Sequence, residues 1–218
     1  MTDAAPEEPD QMPDPDWVTR QFTRSDGSFR FARWARALAP VIVGTDDQGC
    51  KIFEDGIRHV ATVAGAGVGE LDPDLGANFM VFLVNEWHEL EQAPNLVRLI
   101  PNLAELIENL TAHGANQYRV FNFDPEGALR LCISLIRYDE QMQSISAQTL
   151  AVNIAFQGML LWSDQAFREE SPFGVTNDGV CLIKPAYARL LQAAYDPVLP
   201  SVGTDPAFAL RLAARMAG

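Results

Sequence analysis

Ser146-Ala-Gln-Thr-Leu-Ala-Val-Asn-Ile-Ala-Phe-Gln-Gly-Met-Leu-Leu-Trp162 is the longest apolar, helix-compatible run in the chain. It contains no His, Cys, Asp, Glu, Lys or Arg. Ser144 or Ser146 suits the N-cap, because a serine oxygen accepts an otherwise unpaired N–H of the first turn. The run predicts a long apolar helix over about 146–161. Upstream, Leu129-Arg-Leu-Cys-Ile-Ser-Leu-Ile-Arg137 places Leu129, Leu131, Ile133 and Leu135 two apart, the period of a strand. Gly76-Ala-Asn-Phe-Met-Val-Phe-Leu-Val84 is nearly all apolar and of strand length, so it belongs inside a sheet covered on both faces. Ala39-Pro-Val-Ile-Val-Gly44 reads as a first core strand.

Between these strands lie helical periods. The run from Lys51 through Val63 into Ala64 sets Phe53, Ile57, Val60 and Ala64 on one face, and Pro101–His113 carries a stripe of Leu103, Leu106, Ile107 and Leu110. Downstream, 163–181 is polar, with Pro172, Gly174 and Gly179, and predicts a long surface loop of a length that covers clefts. Helices over Pro185–Tyr195 and Asp205–Met216 close the chain. This order predicts one α+β domain over 19–218, a small mixed sheet packed against helices.

Residues 1–18 predict a flexible leader. The first sixteen hold six acids, four prolines and no base, which cannot bury enough apolar surface to offset ordering. They also lack the basic and apolar regions of a signal peptide. Two expectations follow: a cytoplasmic protein, or one exported behind a signal that precedes Met1. The net charge of −13 over 218 residues excludes nucleic acid and anionic membrane surfaces as partners, since both repel it. No apolar run reaches the length of a transmembrane segment.

Chemical motifs are sparse. Cys50, Cys132 and Cys181 are widely spaced, without the pairs that hold structural zinc or redox disulfides. Cys132 sits among apolar residues and reads as a small core side chain. Gly65, Gly67 and Gly69 follow a helix instead of a strand, so they are no dinucleotide loop. His88-Glu89-x-x-Gln92 starts like a zinc helix, yet Gln92 stands at the second imidazole position. His59 and His113 are isolated, and His113 suits a helix C-terminus. Acid pairs such as Asp46/Asp47 read as solvated loop residues.

A family resemblance rests on the second half. Gln157-Gly-Met-Leu-Leu-Trp-Ser-Asp164, Ser171-Pro-Phe173 and Pro185-Ala-Tyr-Ala-Arg-Leu-Leu-Gln-Ala-Ala-Tyr-Asp-Pro-Val-Leu-Pro200 resemble the domain-of-unknown-function 2927 family. Arg33-Trp34 and Ala77-Asn78-Phe-Met-Val81 are compatible, so the likeness covers about 28–216. These are bacterial proteins, usually exported or lipid-anchored, and they resemble zincin metallopeptidases, whose helix reads H-E-x-G-H-x-L-G-L. Carried over by position, the first His falls on Asn153, the Glu on Ile154 and the second His on Gln157. The resemblance thus implies a zincin-like shape without its zinc ligands. It implies a pseudoenzyme of the envelope, periplasmic or anchored, with no catalytic residue, metal or cofactor. Its cleft would be floored by Asn153, Gln157 and Trp162 and would bind an unidentified protein or small ligand. Two other readings stay open: a metal-dependent hydrolase with displaced ligands at His88 and Glu89, and a cytoplasmic partner-binding protein.

Overall fold

The computed structural model describes residues 14–70, 76–93, 95–176 and 181–217, and they form a mixed α+β structure. The first elements are α1 (Pro15–Phe22), β1 (Phe31–Ala32), β2 (Pro40–Val43), α2 (Asp47–Ala64) and β3 (Phe79–Val84). A 3-10 turn over Trp87–Gln92 and the short α3 (Leu96–Leu99) lead into α4 (Leu103–Ala112). Strands β4 (Gln117–Phe123) and β5 (Leu129–Arg137) follow, then α5 (Glu140–Gln143) and α6 (Ala147–Met159). The last are β6 (Phe173–Val175), β7 (Cys181–Ile183), α7 (Pro185–Ala194), β8 (Val202–Gly203) and α8 (Ala207–Met216).

These residues divide into two compact units. The sheet unit takes Arg33–Thr62 and Ala66–Leu160. The terminal unit takes the chain up to Ala32, Val63–Gly65 and Leu161 onward.

In the sheet unit the strand order is β2-β3-β5-β4, with β2, β3 and β5 parallel and β4 antiparallel at one edge. β3 and β5 hold the interior places, where a strand must be apolar on both faces. The register puts Phe79 beside Cys132 and Val81 beside Ser134 on one face, with Arg119 opposite Ser134. Helix α6 covers this face. Gly158 lets it approach so closely that a Cβ there would lie 2.4 Å from the Phe79 ring. Gly56 of α2 meets Ala151 of α6 in the same way, at 2.7 Å. On the other face Phe82, Ile133 and Leu135 pack with Trp87, Leu90, Leu96, Leu103, Ile107 and Leu110. Each fully buried side chain of this size contributes about 1.5–3 kcal/mol.

Several boundaries differ from expectation. The long apolar helix expected over 146–161 is a helix of 13 residues, Ala147–Met159. It stops because Leu160 turns extended and bridges Arg33, and because Trp34 Nε1–H donates to the Gly158 carbonyl at 2.8 Å. Helix α2 starts four residues before the predicted Lys51. Asp46, read as a solvated loop acid, caps it by accepting the Gly49 N–H at 2.8 Å. Strand β4 has no counterpart in the prediction.

In the terminal unit α1 and α7 both pack on α8, and β1 pairs antiparallel with β8. Of the expected flexible leader, residues 1–13 lie outside the described residues. Residues 15–18 already belong to α1, because Asp14 caps Trp17 N–H and Pro15 takes the first turn. The expected 163–181 loop includes β6, paired with β7; residues 177–180 lie outside the described ones. Among the described residues no helix is long and apolar enough to cross a membrane.

Candidate functional site

Helix α6 forms because Ser146 Oγ accepts the Thr149 N–H at 3.2 Å and the residues after it favour helix. Leu150, Ala151, Ile154, Ala155, Phe156, Gly158 and Met159 are buried. Asn153 and Gln157, one turn apart, are half-buried and share a face. Gln157 Nε2–H donates to Asn153 Oδ1. Gln157 Oε1 accepts from Arg119 Nη1 at 2.9 Å, and Arg119 Nε–H reaches Ser134 Oγ at 3.4 Å. Cys132 Sγ lies 3.9 Å from that hydroxyl.

The cation in this network has only neutral partners. Among the described residues Arg119 has no carboxylate within ion-pair distance. Burial depresses its pKa, and burial pushes the Cys132 thiol up to about 11, so the thiol is no counterion. Among the described residues Arg119 makes side-chain hydrogen bonds through Nε and Nη1 only, to Ser134 and Gln157. Both amide oxygens, the atoms best able to bind a metal there, already accept hydrogen bonds. Iodoacetamide at mildly alkaline pH should therefore modify the half-buried Cys50 and spare Cys132 until urea unfolds the chain. Equal native labelling of the two, read by mass spectrometry, would contradict the burial of the β5 face.

The other expected site residues lie elsewhere. Ile154 is a core residue with no exposure. Trp162 is half-buried in the terminal unit, stacked on Phe22 at 5.7 Å and edge-on to Phe167 at 4.9 Å. His88 is exposed on the 3-10 turn. Glu89 beside it is used locally: its carboxylate accepts the Glu86 N–H at 3.1 Å and the Asn85 N–H at 3.4 Å. His113 ends α4, with Nδ1 2.8 Å from the Asn109 carbonyl. Among the described residues no three His, Cys, Asp or Glu side chains gather to hold a metal ion.

A concavity of the sheet unit, about 190 Å³, opens at the carboxyl ends of β2 and β3. Phe53, Leu83 and Leu150 give it apolar walls, and Thr45, Asn85 and Tyr138 give it polar groups. Open sheets with parallel strands bind ligands at this end. Arg119 was not legible as a site residue, since its strand was not predicted. The signal was a lone arginine in the β-prone run Tyr118–Phe123, followed by the turn residues Pro125 and Gly127. No protein-family model matches the chain, and no curated protein or solved structure matches it.

Proposed function

We propose that this chain is a non-catalytic binding domain of the bacterial envelope, built on a degenerate zincin-like fold. One observation carries the reading. The two helix positions that the resemblance assigns to zinc-binding imidazoles hold Asn153 and Gln157, and an arginine is hydrogen-bonded to the second. Zinc takes imidazole, thiolate or carboxylate, and a neighbouring fixed cation repels it further. A guanidinium with only neutral partners and a spare N–H donor suits reversible binding of a protein or small-molecule acceptor. The envelope location follows from the resemblance alone, and cell fractionation tests it separately.

The competing hydrolase reading would require Glu89 to release two backbone N–H groups before binding metal at His88. Metal analysis of the purified full chain, with a peptidase assay, separates the two. We expect far less than one zinc per chain and no cleavage of casein. One zinc per chain, with cleavage abolished by His88→Ala or Glu89→Gln, overturns the proposal and favours the hydrolase.

A further inference from the structure

Three guanidinium groups and three aromatic rings line one cleft of the terminal unit, about 550 Å³ in volume. Arg20 comes from α1, Arg24 follows it, and Arg168 comes from the segment after Leu161. Trp17, Phe167 and Tyr187 supply the rings, with Trp17 4.9 Å and Phe167 5.8 Å from Tyr187. Among the described residues none of the three arginines has a carboxylate within ion-pair distance. Glu170, also at the cleft, pairs with Lys184 at 2.7 Å, which leaves Glu169 as the other acid there. A chain of net charge −13 thus surrounds one cavity with more positive than negative charge. Arginine suits such a place, because its planar fork binds carboxylates with two hydrogen bonds and stacks on rings.

Two further observations point to an occupant. Gln21 lines the cleft with only 6 % of its surface exposed. Its Nε2–H donates to the Trp17 carbonyl at 3.2 Å, which sets the amide orientation, while its Oε1 is enclosed and accepts no hydrogen bond. A buried acceptor without a donor is costly, and a small turn of the Gln21 amide toward the cleft would let a ligand N–H or O–H meet it. Phe167 has φ of 67°, in the left-handed region that a bulky residue rarely adopts. Such strain persists where surrounding contacts hold it, commonly at binding sites.

We propose that this cleft binds a small aromatic carboxylate that also carries an N–H or O–H donor. The ring packs on the partly exposed Trp17 and Phe167, with the buried Tyr187 backing them. The carboxylate meets the arginines, and the donor meets Gln21 Oε1. The proposal is independent of the reading of α6, since a zinc enzyme could carry the same cleft. The carboxylate could come from a free small acid or from the end of a peptide. 4-Hydroxybenzoate represents the first source and N-acetylphenylalanine the second.

The test is calorimetric titration of the full chain with these two acids and with their uncharged amides. We expect saturable binding of at least one acid, at least about tenfold tighter than its amide, because a hydrogen bond to a charged group outweighs a neutral one. Arg20→Gln with Arg168→Gln, both at exposed positions, should weaken that acid by about tenfold and leave the circular dichroism unchanged. Gln21→Leu should remove the advantage of 4-hydroxybenzoate over plain benzoate. The tighter of the two acids identifies the source. Equal binding of acid and amide overturns the proposal, as does unchanged affinity in the folded double arginine variant, or no saturable binding of either acid.

Discussion

Replacing Gly44 with alanine is expected to destabilise the protein by about 3–5 kcal/mol, a large part of the stability of an ordinary domain. Two causes add. Gly44 has φ of +94°, where an L side chain costs about 1–2 kcal/mol. The added Cβ would also lie 1.8 Å from the carbonyl oxygen of Leu83. That oxygen belongs to the backbone of β3, which is hydrogen-bonded between β2 and β5, so it cannot swing aside as a side-chain tip could. Relief requires separating the ends of β2 and β3, which also form one wall of the smaller cavity. Gly27→Ala is the control. It has a similar φ of +81° but nothing within 4 Å of the new Cβ, so it should lose only about 1–2 kcal/mol. Urea unfolding of both variants reads the difference. Equal losses would mean that the close approach at Leu83 is relieved at almost no cost.

The sequence made the centre of the sheet legible and left its edge dark. The alternation in Leu129–Arg137 and the apolar run ending at Val84 predict β5 and β3, because burial on both faces leaves a compositional trace. β4 lies at an edge and is mixed in character, with Arg119 and Asn122 among its aromatics, so its residues resemble a loop. Missing that strand also hid the site. Arg119 meets Gln157 across 38 positions, and no local spacing announces such a pair. The cleft of the terminal unit was dark for the same reason, since Arg20 and Arg24 lie near one end of the chain and Arg168 near the other. Caps were half legible. Ser146 reads as one of two candidate caps, but Asp46 reads like any solvated acid, because a cap differs from a loop residue only in the N–H it faces.

Asn78→Ala is expected to cost about 2–5 kcal/mol, and Asn78→Asp at least as much near neutral pH. Asn78 is 2 % exposed and uses both ends of its amide. Oδ1 accepts the Ala39 N–H at 2.7 Å, and Nδ2–H donates to the Ala37 carbonyl at 2.9 Å. Its own backbone carbonyl accepts the Cys132 N–H at 2.9 Å. The side chain therefore holds the segment entering β2 against the strands beside it. Alanine leaves the buried Ala39 N–H without a partner, at about 1–3 kcal/mol, and removes the part-buried bond to the Ala37 carbonyl, at about 0.5–1.5 kcal/mol. Aspartate keeps the acceptor for Ala39 but turns a carboxylate oxygen toward the Ala37 carbonyl, where a donor is needed. A buried, repelled carboxylate has a folded-state pKa above its unfolded value of about 4. The folded form of that variant then binds its proton more tightly than the unfolded form. Its stability, relative to the parent chain, must rise as pH falls from neutral toward about 4, and level off below. Once protonated, the carboxyl O–H can donate to Ala37 and restore the lost bond. The alanine variant carries no such group, so its deficit relative to the parent should stay constant over the same range. Urea midpoints of the three proteins near pH 7 and near pH 4.5 decide it. An aspartate deficit that stays constant or grows on acidification would show that the amide nitrogen, and with it the Ala37 contact, is not what holds this strand entry in place.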